Sequence, residues 1–136
     1  MKRAPHLALL PDGRRLHLQD GPIDLVIAAF GADDAMRAAY AAAARRFTGL
    51  LDRLVEELPL LRTRARPSAT PLRGVVARRM HAAVAPFAEE HFITPMAAVA
   101  GAVADEILGA MRGAGALERA FINNGGYCPG WLSGSR

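Results

Sequence analysis

The sequence predicts an α/β chain of the α+β kind, with an N-terminal β-hairpin and a third strand followed by helices that carry apolar stripes. Three observations predict this class. Apolar residues alternate or run on through the first thirty residues, the apolar spacing lengthens to three and four after Asp33, and strand character returns at Arg119–Asn123.

His6–Leu10 is a short apolar strand, and Pro11–Asp12–Gly13 is turn chemistry, with proline presetting φ and glycine accepting a positive one. Arg14–Gln19 then alternates, with Leu16 and Leu18 on one face and Arg15, His17 and Gln19 on the other, which predicts a hairpin with one wet face. Asp20–Gly21–Pro22 turns the chain again. Ile23–Phe30 is more continuously apolar and is expected nearer the middle of the sheet.

Asp33 or Asp34 can start a helix. Met36, Tyr40, Phe47, Leu51, Leu54 and Leu58 follow at spacings of three, four and seven, which predicts one helix of about seven turns ended by Pro59. Leu60–Pro71 holds Arg62, Arg64 and Arg66 between prolines without an apolar period. It is either a solvated connector or an arginine-rich loop that meets phosphates, alternate arginines facing one way if the segment is extended. Val75–Glu90 predicts a second helix with Val76, Met80, Val84 and Phe87 inward and a kink at Pro86. Thr94–Pro95 opens a third, with Thr as N-cap and Pro at the first helical position. Met96, Val99, Val103, Ile107 and Met111 line one of its faces, while Ala97 and Gly101 leave another almost bare. Asn124–Gly125–Gly126 is a sharp turn, and Tyr127–Arg136 has no period.

A chain of 136 residues fits one domain, and 51% hydrophobic with 22% charged residues excludes wholesale disorder. No apolar run reaches the length of a membrane span, and no signal peptide is legible, so a cytoplasmic location without a membrane partner is expected. Cys128 is the single cysteine, which excludes an internal disulfide and a cysteine metal cluster. The net charge is +4, with 16 of the 17 basic residues arginine; they are dispersed, and nucleic acid is disfavoured as a partner.

Two segments carry candidate chemistry. Phe92–Asp105 brings a helix N-terminus directly after an extended piece, where free N–H groups favour an anion; Thr94 adds a hydroxyl, and Gly101 admits a flat ligand. Asn123–Asn124–Gly125–Gly126 exposes backbone N–H groups that can cradle a phosphate or a ring edge. Each reads equally as structure: an alanine-rich core helix, and a plain strand-to-strand turn. Asp105 is the one weak candidate for a metal ligand, and no partner carboxylate is evident. The four histidines, at 6, 17, 81 and 91, show no metal spacing, and no nucleophile elbow or phosphate-binding glycine loop is present.

Leu10–Arg15, Gly21–Ile27, Phe92–Asp105 and Asn123–Gly126 together resemble the UPF0280 family of the ApbE-like superfamily, from about residue 5 to Gly126. The resemblance implies an ApbE-like mixed sheet with helices packed on it, and an FAD:protein FMN transferase-like site that uses magnesium, with FAD or FMN as cofactor and a protein as substrate. It places the flavin against Thr94, Ala97, Gly101, Asn123, Asn124, Gly125 and Gly126. Two positions depart from the motifs of that superfamily: Asp105 stands where a lysine is expected, and Tyr127 where an aspartate is. The superfamily also continues for a further half beyond the turn. The resemblance therefore implies that 1–126 is the N-terminal part of one ApbE-like domain, inactive as truncated, with 127–136 a non-native, frameshifted tail. The alternatives are non-catalytic: a small basic module that binds polyanions through Arg62, Arg64, Arg66, Arg73, Arg78 and Arg79, or a homo-oligomer formed through the small-residue face of 97–105.

Overall fold

A computed structural model describes residues 4–68, 70–125 and 130–132, the last two of these by backbone alone. The chain divides into two compact units, Met1–Leu51 with Ala104–Arg136, and Asp52–Val103.

The first unit is built on a sheet. Its opening turn follows from Asp12, whose carboxylate accepts the N–H groups of Arg14 (2.9 Å) and Arg15 (3.1 Å) and the Nε–H of Arg15 (2.7 Å). Those donors, the Arg14 N–H foremost, favour the ionised form and hold its pKa at about 2. The turn joins β1 (His6–Leu9) to β2 (Arg15–Asp20), with Leu7 opposite Leu18 and Leu9 opposite Leu16. β3 (Ile23–Gly31) pairs with β2 on one side and with β4 (Leu117–Asn124) on the other. β5 (Gly130–Leu132) pairs with β4, completing the order β1-β2-β3-β4-β5. The α+β class is as expected, and β3 takes the central place its apolar run implies. Every pairing is antiparallel, so the sheet is not the mixed one expected. One face holds Leu16, Leu18, Leu25, Ile27, Ala120 and Ile122, all buried.

Within the aperiodic end of the sequence, Gly130–Leu132 is an edge strand. Glycine is required where it enters: a Cβ on Gly130 would stand 2.7 Å from the Ala120 carbonyl oxygen.

α1 (Asp33–Phe47) packs on the sheet through Ala39, Ala42, Ala43 and Phe47, where three alanines permit close approach. Tyr40 fixes it there. The β2–β3 ladder stops at Arg15 opposite Ala28; one step beyond, the Tyr40 hydroxyl accepts the Ala29 N–H (3.1 Å) and donates to the Arg14 carbonyl oxygen (2.5 Å). The phenol therefore stands in for the next rung, and burial pushes its pKa up. On the other side of α1, Arg46 pairs with Glu106 through a half-buried Nε–Oε2 contact.

The single seven-turn helix does not form. Gly49 adopts φ +82°, a left-handed conformation that ends α1. α2 (Leu50–Glu56) and α3 (Leu58–Leu61) follow, and Pro59 lies in the first turn of α3, where its missing N–H costs nothing, instead of ending a helix.

In the second unit, α4 (Val75–Val84) buries Val76, Met80 and Val84 as expected and passes at Ala85–Phe87 into a 3-10 turn around Pro86. The tighter turn shifts the angular phase, so Phe87, expected inside, is exposed. Pro95–Ala98 is a second 3-10 turn, and α5 (Val99–Ala114) begins only after it. Thr94 takes the expected N-cap position with Pro95 following it, but of this turn and without a side-chain capping bond.

Two predictions follow from the first unit. Because the folded pKa of Asp12 lies below its ordinary 3.8, its contribution to stability is complete above that value and is lost as pH falls toward about 2. Urea unfolding between about pH 6 and pH 2 will show this loss, and Asp12→Asn will flatten the acid limb. Tyr40→Phe strands the Ala29 N–H and the Arg14 carbonyl at the end of the ladder, and is expected to cost about 1–3 kcal/mol in the same measurement.

Candidate functional site

Within Asp52–Val103, the segment after α3 is held extended by one backbone bond. The Ala65 N–H donates to the Ile93 carbonyl oxygen at 2.8 Å. Ala65 is buried with Val84 and Ala88, and Ile93 and Ala98 pack against that cluster. In an extended segment neighbouring side chains point oppositely, so burying Ala65 turns Arg64 and Arg66 outward together. This is the alternate placement foreseen for an arginine-rich loop, reduced to two arginines; Arg62 instead caps the end of α3.

Arg64 and Arg66 border a cavity of about 300 Å³ with Thr63, Thr70 and His81, over an apolar lining that includes Leu60, Leu72 and Pro95. The same segment, with Ala88 and Glu89, also borders a more open space of about 650 Å³. Among the described residues no partner pairs with either guanidinium, and the lining of the smaller cavity holds no carboxylate.

The polar groups divide by what each has already given away. Thr63 spends its hydroxyl proton on the Leu60 carbonyl oxygen (2.8 Å) and can only accept. Thr70 Oγ1 accepts the Leu72 N–H (3.2 Å), so its proton remains free to donate. His81, 8% exposed, lies 2.9 Å through Nε2 from the Arg66 carbonyl oxygen. A carbonyl only accepts, so Nε2 carries the hydrogen and Nδ1 of the neutral ring is an acceptor. The opposite wall is fixed by Glu57. Its carboxylate accepts the Arg73 N–H (2.6 Å) and the Gly74 N–H (3.0 Å) at the start of α4, which ties down the stretch from Thr70.

The residues singled out from the sequence are divided between the two compact units. Thr94, Ala97 and Gly101 belong to the Asp52–Val103 unit, whereas Asn123, Asn124 and Gly125 belong to the sheet unit. Ala97 is exposed, Gly101 is half-buried, and Asn123 and Asn124 end β4 before Gly125 turns at φ +58°. Gly126, Tyr127 and Cys128 lie outside the described residues. Asp105 is exposed on α5, and among the described residues no group of three metal-ligating side chains gathers. Sequence reasoning passed over His81, Thr63 and Thr70. His81 had a signal, since it shares the apolar stripe of α4 with Ala77, Met80 and Val84, where a polar ring must find partners.

Comparison with known proteins corrects the resemblance. The family model that matches is described as AbpE bacteria and covers residues 7–133. No curated protein and no solved structure matches the chain. The UPF0280 and ApbE-like assignment is therefore overturned, and the flavin and FMN-transferase function inferred from it falls with it. The match also runs through Gly126 and seven residues beyond, so truncation there has no support. Neither the polyanion-binding module nor the helix-mediated homo-oligomer gains support from it. No helix among the described residues is long and apolar enough to cross a membrane. With its match extending across both compact units, the chain belongs to the AbpE bacteria family.

Proposed function

We propose that the chain binds a small anion, a phosphate or a carboxylate, in the cavity between Arg64, Arg66 and Thr70. The observation that carries this reading is that two guanidiniums and a hydroxyl proton, none with an acceptor among the described residues, border a space whose described lining has no carboxylate. Guanidinium forks match phosphate and carboxylate oxygens, and charge-assisted bonds exceed neutral ones in strength. The size supports a small ligand: about 300 Å³ is at the lower end for a small-molecule pocket. The reading differs from a polyanion surface, because Arg73, Arg78 and Arg79 take no part in the cavity lining.

Titration calorimetry at low ionic strength with inorganic phosphate and with acetate tests it. Binding of either is expected, and Arg64→Gln and Arg66→Gln should each weaken it about 10- to 100-fold, as for loss of one charge-assisted bond. Both side chains are exposed, so neither variant should shift the thermal midpoint much. Heats no larger than those of sodium chloride at equal ionic strength would sink the reading. Glu57→Ala removes the carboxylate that holds the Arg73 and Gly74 N–H groups ahead of α4 and is expected to cost about 1–2 kcal/mol in urea unfolding, weakening anion binding with it by loosening the wall.

A further inference from the structure

We infer that the anion held in this cavity also carries a hydroxyl group, whose hydrogen is received by Nδ1 of His81. The inference rests on the anion-binding reading and adds to it the second half of the ligand. His81 borders the cavity and is more than nine-tenths buried. Its ring has one bond among the described residues, Nε2–H to the Arg66 carbonyl oxygen, and that bond fixes Nδ1 as the acceptor in the neutral ring. A buried acceptor seeks a donor. Thr63, the other polar side chain at the cavity whose proton is spent, is an acceptor too. Arg64, Arg66 and Thr70 donate, so the cavity pairs donors suited to an anion with acceptors that a fully ionised anion cannot satisfy. A ligand with a charged group and a hydroxyl answers both: a hydroxy acid or a hydroxylated phosphate ester. An anion without a hydroxyl would leave Nδ1 to water.

Two matched pairs separate the sources, each pair having one charge type and differing in hydroxyls: glycerol phosphate against propyl phosphate, and lactate against propionate. In calorimetry the hydroxylated member of the preferred pair should bind about tenfold more tightly, the effect of one or two added hydrogen bonds. His81→Gln places an amide nitrogen near the position of Nε2 and offers nothing at Nδ1. It should therefore keep the bond to Arg66 and its thermal midpoint, and abolish the preference while still binding the deoxy member. As a measurement independent of any variant, the Nδ1 resonance in ¹⁵N-histidine spectra should move with the hydroxylated ligand and hold still with its deoxy partner. Equal affinities within both pairs overturn the inference and leave anion binding standing. A His81→Gln variant that weakens both members of a pair equally overturns it also, since the ring would then act on the charge. No binding by any of the four removes the anion reading and this inference together.

Discussion

One backbone hydrogen bond organises the candidate site. Residues 62–66 follow a four-residue helix and carry three arginines, so nothing in their composition holds them in place. The bond from the Ala65 N–H to the Ile93 carbonyl fixes the backbone at the middle of the segment, and burial of the Ala65 methyl fixes which way it faces. Strand-like alternation then sends both flanking guanidiniums to the same side. Without that bond two long, charged side chains would each be free to disperse into water, which their mutual repulsion favours. The Arg66 carbonyl, oriented by the same extended geometry, in turn receives the His81 Nε2–H and selects its tautomer. One short stretch of main chain thus sets the direction of two charges and the acceptor character of a third group.

The sheet unit solves a comparable problem in another way. Its second ladder runs out at Arg15 and Ala28 while β3 continues to Gly31, past the start of β2. The exposed N–H of Ala29 needs a partner, and the Tyr40 hydroxyl supplies one while giving its own proton to Arg14. The helix is docked by the same side chain that finishes the sheet. A valine or leucine at 40 would bury comparable apolar surface but could not close the ladder.

The hairpin, the central place of β3, the α4 stripe and the break at Pro86 were legible because each rests on a local signal: alternation, turn residues or a missing N–H. The length of the first helix was not. The stripe through Leu51 and Leu54 keeps helical spacing across Gly49, and only the left-handed φ at that glycine reveals the break. Gly130–Leu132 escaped because three residues are too few to show a period; β4 supplies the ladder that makes them a strand. Two arginines of the candidate site were legible as residues but not as a geometry, since the bond that orients them joins positions 28 apart in sequence. Thr94 and Gly101 drew attention by composition. Thr94 keeps the N-cap position, but of the 3-10 turn at Pro95–Ala98, which no apolar period distinguishes from the start of α5.

The placement of Glu57 explains why the arginines rather than a helix end must hold the ligand. The first N–H groups of α4 are the natural place for an anion in this unit, being unpaired within the helix and at the positive end of its dipole. Glu57 already puts a negative charge beside that place, held by hydrogen bonds from Arg73 and Gly74 just ahead of the helix. An incoming phosphate or carboxylate would have to displace a tethered carboxylate whose effective concentration is high. At the cavity no internal carboxylate competes among the described lining residues. Glu57 and the two arginines therefore play opposite parts: the internal anion stands beside the helix start and ties down the backbone ahead of it, and Arg64 and Arg66 are left for an external one.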